Sequence, residues 1–284
     1  MINEDIKDKI MTKFFWLTGS FIILLLFLIL GYIFLKGISK LSLEFIFGMP
    51  KNGWSSGGIF PAIVGTFYIV FIALLFSVPI GVGTGIFLAE FVKESKLKRI
   101  IRVVADSLNA VPSIVYGLFG LVFFWYFLKD ITGGPTILSA GLVLGFMTLP
   151  MIIRTSEIAI REVPIDEKMG SYALGATKLQ TIKNISLRRA LPGIITGILL
   201  SFGRAAGETA PIIFLVALNP VLPLSPYDPG NALAPLLYFL VSEATSERMK
   251  VANGIALILI LIILISNYLT RLIDSYLTRN LRKK

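Results

Sequence analysis

Six stretches of this chain are apolar for long enough to cross a bilayer as helices, and shorter polar segments separate them. They cover approximately residues 14–35, 59–91, 109–128, 136–153, 190–218 and 251–269. A helix needs about 20 mainly apolar residues to cross a hydrocarbon core of roughly 30 Å. The second and fifth stretches exceed that length, and Pro79 and Pro192 mark positions where a kink is tolerated. The pattern predicts an all-α integral membrane protein with six transmembrane helices.

The connections differ in character. Segment 36–58, with Asn52-Gly53 and the run from Ser55 to Gly58, predicts a flexible connection that leaves the first span peripheral. Segment 219–250 carries Pro220, Pro223, Pro226, Pro229 and Pro235 around the apolar residues 236–241. It is too short for a seventh span and predicts an ordered hairpin or a partly re-entrant cap. Segment 154–189 has helical punctuation of its own. A helix over about 165–174 is followed by Gly175, which suits a left-handed closing position, and Thr177 with Gln180 forms a capping box for a second helix. Read by itself, this segment fits an amphipathic loop at the membrane surface as well as it fits a docking element.

Composition agrees with the pattern: 55% of residues are hydrophobic and 15% charged. The formal net charge is +10, but the basic residues sort by segment. Three lysines or arginines precede the first span, five lie between the second and third, seven between the fourth and fifth, and five follow the sixth. The opposite segments hold three, one and two. This bias puts both termini in the cytoplasm and argues against nucleic acid as the partner of the basic charge. Glu4, Asp5 and Asp8 interrupt the amino-terminal basic region, and the apolar run after it is long and lacks a small-residue cleavage site. That stretch is expected to stay as the first span, not to be removed as a signal peptide. The expected division is a tail, first helix and external loop over 1–58, a transmembrane domain over 59–272, and a basic cytoplasmic tail over 273–284.

The chain contains no cysteine and no histidine. Disulfides, thiol nucleophiles and imidazole ligands are excluded, and metal binding is left to carboxylates alone. No Gly-x4-Gly-Lys-Ser/Thr run occurs, and Gly81, Gly83 and Gly85 lack both that ending and a strand before them. No catalytic residue and no cofactor of the chain's own are expected. A chain of this type is not an enzyme, and if ATP drives it, hydrolysis belongs to another subunit.

Arg204 and Glu208, four residues apart in the fifth stretch, are the chemistry-bearing pair. Ionisable groups at bilayer depth face a bundle interior or a water-filled path. On a continuous helix, Gly193, Gly197, Ser201, Arg204, Glu208 and Pro211 share one small and polar face. Small residues at this spacing admit another helix closely. Two readings stand: a substrate path, or an ion pair within the helix that orders the bundle. Arg154 and Glu157, at the inner end of the fourth stretch, form another pair expected to reach water, and Asp106 is expected as a boundary or capping residue.

The run from Met169 to Gln180 resembles the cytoplasmic signature of permease subunits of bacterial ABC importers, with Gly175, Ile185 and Leu187 on the pattern. Met169-Gly170-Ser171 stands where Glu-Ala-Ala is usual, and Arg188 where proline is usual. Val111 to Gly117, Leu149 to Thr155 and Gly203 to Pro211 together resemble the membrane subunits of the phosphate importer. Gly-Glu-Thr-Ala-Pro at 207–211 with Pro223 to Pro229 is similar to the PstA type. The resemblance implies the type I ABC importer fold, with a coupling-helix loop between helices four and five. It also implies a PstC-type permease subunit and a PstB-type ATPase dimer that holds ATP and magnesium. An extracytoplasmic phosphate-binding protein and a location in the cell membrane, the inner or plasma membrane, complete what it implies.

On the substrate-path reading of the charged pair, Ser201, Arg204, Glu208 and Thr209 are expected to belong to the path of inorganic phosphate. Gly170, Ser171, Ala173, Leu174, Gly175, Ala176 and Thr177 would belong to the ATPase contact. A permease for molybdate or sulfate is the nearest alternative. An ion-coupled secondary carrier would more often show inverted repeats in matching halves, which are not evident here.

Overall fold

The computed structural model describes residues 4–92, 96–127, 129–132, 134–216, 218–243 and 245–282. Helix α1 (Glu4–Ile38) is long, apolar and exposed along most of its length. Near its end Gly37 meets the last helix of the chain, where an added Cβ would lie 2.7 Å from Leu257 Cβ. The expectation of a peripheral first span agrees with this.

Segment 36–58, by contrast, is not a loose connection. Ser42 caps the short helix α2 (Leu43–Phe47), its hydroxyl accepting from Phe45 N at 3.1 Å. Strands β1 (Pro50–Lys51) and β2 (Ser56–Gly57) then pair antiparallel around a turn in which Asn52, Gly53 and Trp54 all have positive φ. Phe45 and Trp54 are buried in one cluster with Leu233, Leu236, Val251 and Ile255, and these two aromatic anchors are what the turn-rich composition concealed.

Helix α3 (Phe60–Ile86) runs on into a π turn, Phe87–Phe91. After it, α4 (Lys96–Ala110) and α5 (Ser113–Tyr126) are bent by 95° at Val111-Pro112. The third apolar stretch therefore starts later than expected, because proline has no N–H to give and disfavours helix in the residue before it. A short turn of helix, α6 (Lys129–Thr132), precedes α7 (Ile137–Arg161), whose capping box pairs Thr136 with Ser139. Helix α7 carries the fourth span eight residues beyond the expected boundary at 153.

Helix α8 (Ile165–Ala173), α9 (Lys178–Thr181) with a second π turn (Ile182–Ser186), and α10 (Leu187–Ala206) follow. The expected fifth span reached residue 218, but α10 stops at Ala206. Gly207 is a poor helix former, and Pro211 both lacks an amide hydrogen and disfavours helix at Ala210. Residues 207–216 continue as turns, with Pro211, Ile212, Leu215 and Val216 buried. They pack on α5, where a Cβ on Gly117 would fall 2.9 Å from Pro211 Cα. Non-helical backbone of this kind in a membrane protein needs protein around it or a water-lined cavity beside it.

The described residues of segment 219–250 are ordered, as expected of a hairpin or cap. Asp228 Oδ2 accepts from the amides of Leu224 and Ser225 at 2.9 and 2.8 Å. The carbonyls of Asp228 and Pro226 accept from Ile137 N and Leu138 N, amides at the start of α7 that have no helical partner. Helix α11 (Leu233–Ser242) is too short to span, and it buries Leu233, Leu236 and Leu240. The long α12 (Ser246–Arg282) ends the described chain. Among the described residues, five helical segments are long and apolar enough to cross a membrane, and there are six if the bent pair of α4 and α5 counts as one span.

The core lies between α3 and α7, which pack side by side along most of their length. At Gly85 a Cβ would come within 2.6 Å of Ser156 Cβ and 2.9 Å of Glu157 N, so hydrogen alone permits this approach. Helix α10 packs on α7 and α12, which closes the bundle.

Candidate functional site

The last turn of α10 and the turn segment after it form the first candidate site. Arg204 sits in that last turn, where the exposed carbonyls favour a cation, and its side chain is 46% exposed. Its Nε lies 3.5 Å from Glu208 Oε1, a long pairing, and the Glu208 side chain is 19% exposed. Neither group is walled off by aliphatic neighbours. The helix closes with Gly207 N bonded to Arg204 O at 3.1 Å and Glu208 N to Ala205 O at 3.2 Å. Thr209 then accepts at its carbonyl from Ile212 N and Ile213 N.

The shared face expected on a continuous helix is divided in the structure. Gly193 and Gly197 lie against Ala159 and Thr155 of α7, so the small residues serve packing within this chain. Ser201 is fully buried, and its hydroxyl donates to Gly197 O at 2.8 Å. Glu208 and Pro211 lie beyond the end of the helix. Of the four expected path residues, the structure brings Arg204, Glu208 and Thr209 together at the helix end and sets Ser201 inside the bundle.

The second candidate region is α8 and the corner after it. Gly175 has φ +81°, and its N–H bonds to Tyr172 O while Ala176 N–H bonds to Ser171 O, the paired closure of a Schellman motif. Thr177 and Gln180 make the reciprocal capping box that the sequence predicts. Gly170 and Gly175 have no atom within 4 Å of an added Cβ, and Ala173, Gly175 and Thr177 are exposed. Leu174 is 90% exposed, and Ile165, Met169, Tyr172 and Leu179 add apolar area around it. Ser171 turns inward, its hydroxyl 2.9 Å from that of Thr181.

A third cluster departs from the sequence expectation. Glu157 does not reach water: its side chain is 1% exposed. Its Oε1 accepts from Arg102 Nη2 at 2.6 Å and lies 2.9 Å from Arg161 Nη2, while Arg154 Nη1 stands 3.7 Å from Oε2. Arg102 arrives from α4, which meets α5 at the 95° bend beside Pro112. Asp106 lies within α4, not at its cap, and lines a small cavity with Arg102, Arg154 and Glu157. The spacing of Arg154, Glu157 and Arg161 at three and four residues was the available signal for a shared carboxylate.

Residues 81–283 match the family described as binding-protein-dependent transport system inner membrane component. The chain is 34% identical to the probable ABC transporter permease protein YqgI of Bacillus subtilis over 99% of both chains. It is 35% identical to a probable phosphate transport system permease protein PstA of Methanocaldococcus jannaschii, covering 91% of this chain and 90% of that one. The fold is similar to a chain of a bacterial ABC transporter that imports the acidic polysaccharide alginate. That likeness has a TM-score of 0.66 at 17% identity and covers 94% of this chain and 97% of the other.

Proposed function

We propose that this chain, which belongs to the family of binding-protein-dependent transport system inner membrane components, is a PstA-type permease subunit of an ATP-driven phosphate importer. The observation that carries the reading is the exposed Arg204 guanidinium beside Glu208 at the broken end of a span, in a chain 35% identical to a PstA relative. Arginine offers a planar fork of donors that fits a tetrahedral oxyanion. A carboxylate repels a bare anion but accepts a hydrogen bond from protonated phosphate, which sulfate cannot offer at neutral pH. Arg204 would attract the anion, and Glu208 would temper its grip and favour the protonated species. Thr209 adds a hydroxyl at the same end. A site of cations alone in a partly dry passage would hold a dianion too tightly for release.

The exposed apolar patch on α8 and the Gly175 corner supports docking on a separate ATPase. In this reading a PstB-type dimer holds ATP and magnesium, a PstC-type subunit forms the other half of the path, and an extracytoplasmic binding protein delivers phosphate. Both termini and α8 then lie in the cytoplasm.

The test is uptake by cells or proteoliposomes that contain the assembled complex. Arg204→Gln is expected to lower phosphate uptake at least about tenfold, as loss of a charge-assisted contact of about 1.5–3 kcal/mol requires. Glu208→Gln is expected to narrow the preference for phosphate over sulfate. Uptake and discrimination both unchanged at normal assembly would overturn the assignment. Wild-type uptake of molybdate or sulfate in place of phosphate would transfer the site to that oxyanion.

A further inference from the structure

Glu90 closes the π turn at the end of α3, and its side chain is 8% exposed. Its Oε1 accepts from Lys168 Nζ of α8 at 2.7 Å and from Ser186 Oγ at 2.8 Å. Lys168, 12% exposed, also donates to Ile160 O near the end of α7 at 3.4 Å. Four segments thus converge on one ion pair: the ends of α3 and α7, the middle of α8, and the turn that leads into α10. Both π turns of the described residues, Phe87–Phe91 and Ile182–Ser186, deliver a side chain to this point. Such turns are rare inside α-helices and frequent at functional sites, because the extra residue re-aims the side chains around it.

From this geometry we infer that Glu90 is a positioning residue which locks α8 to the membrane helices, so that a displacement at the docking face moves α3 and α10 with it. The inference rests on the reading of α8 as the ATPase contact. An ion pair this far withdrawn from water separates only by leaving a charge in a poorly solvated site, so the α8 end and the α3 end travel together. The neighbouring Glu167–Arg189 pair is bidentate at 2.7 and 2.8 Å but is 31% and 41% exposed. Water can replace that link, and it transmits little.

The experiment uses the full complex in proteoliposomes and reads three quantities: ATPase bound per permease, ATP hydrolysed, and anion taken up. Glu90→Gln and Lys168→Met are expected to retain the ATPase, since Leu174 and Gly175 are untouched, while uptake per ATP falls about tenfold. The exchanged pair Glu90→Lys with Lys168→Glu is expected to recover most of that loss. Glu167→Gln should stay within about twofold of wild type. If a single variant assembles poorly, the ratio per assembled complex still decides. Uptake per ATP unchanged in both single variants would reduce the cluster to a structural support and overturn the inference.

A wild-type complex that moves molybdate or sulfate instead of phosphate defeats only the phosphate reading, and the ratio is then measured with that anion. A chain that retains no ATPase, or a complex that moves none of the three anions, defeats both.

Discussion

Glu157 shows how one carboxylate holds several arginines at the foot of the bundle. Arg102 is 28% exposed and binds at 2.6 Å, whereas Arg154 is 55% exposed and stands 3.7 Å away. These differences rank the variants. Glu157→Gln leaves three guanidinium groups near one another without their counter-charge, and the cost is expected to be on the order of 1–3 kcal/mol, because the arginines can partly rehydrate. Arg102→Gln should cost a similar amount, and Arg154→Gln less than about 1 kcal/mol, as for an exposed pair. Thermal unfolding of the purified protein in detergent checks the order, and equal losses for Arg102→Gln and Arg154→Gln would contradict it. The pair of Arg154 and Glu157 was legible in the sequence, but the burial of Glu157 was not. Arg102 lies 55 residues from Glu157 along the chain. The packing of α4 on α7 brings it there, and a pairing across that distance leaves no local periodic trace.

At the scale of elements, hydrophobic periodicity locates the spans well and their ends poorly. Proline and glycine explain most of the differences. Pro112 separates α4 from α5, and Gly207 with Pro211 ends α10 within a stretch whose apolar composition gives no warning of the break. Apolar residues of the 207–216 segment look helical in composition because they too are buried, against α5 and α7. The Gly175 corner was fully legible, since the left-handed residue, the capping box and the helix before it are all encoded within 16 residues. It also yields a sharp prediction. At φ +81° with open space around it, Gly175→Ala meets no clash, so its effect is backbone strain of roughly 1–2 kcal/mol. Gly175→Asn, which tolerates the left-handed region better, should be milder. Membrane abundance is expected to stay near wild type in both variants, with ATPase co-purification lowest for alanine. Full ATPase retention in Gly175→Ala and in the bulkier Gly175→Leu would separate the corner from docking.

The whole molecule is a bundle whose two candidate regions lie at different ends of the same helical segment: Arg204 sits in the last turn of α10, and the π turn that leads into α10 adjoins α8. An importer of this kind requires the docking face inside the cell and the proline-rich segment outside, and the asymmetry of lysine and arginine is the physical force that would set that orientation during insertion. The absence of cysteine makes the arrangement directly testable, because each introduced thiol is the sole target of a maleimide. Tyr227→Cys, on the exposed 219–250 segment, should react in intact cells with a reagent that does not cross the membrane. Leu174→Cys, Asp8→Cys near the amino end and Tyr276→Cys near the carboxyl end should react only after permeabilisation. The three inner positions must agree, because an even number of crossings puts both ends and the α8 corner on one side. Labelling of Asp8→Cys from outside with Tyr276→Cys protected would mean that α5, only 14 residues long and about 21 Å at 1.5 Å per residue, does not cross and that the chain has five spans. Labelling of Leu174→Cys from outside would invert the bundle and remove α8 from the reach of a cytoplasmic ATPase.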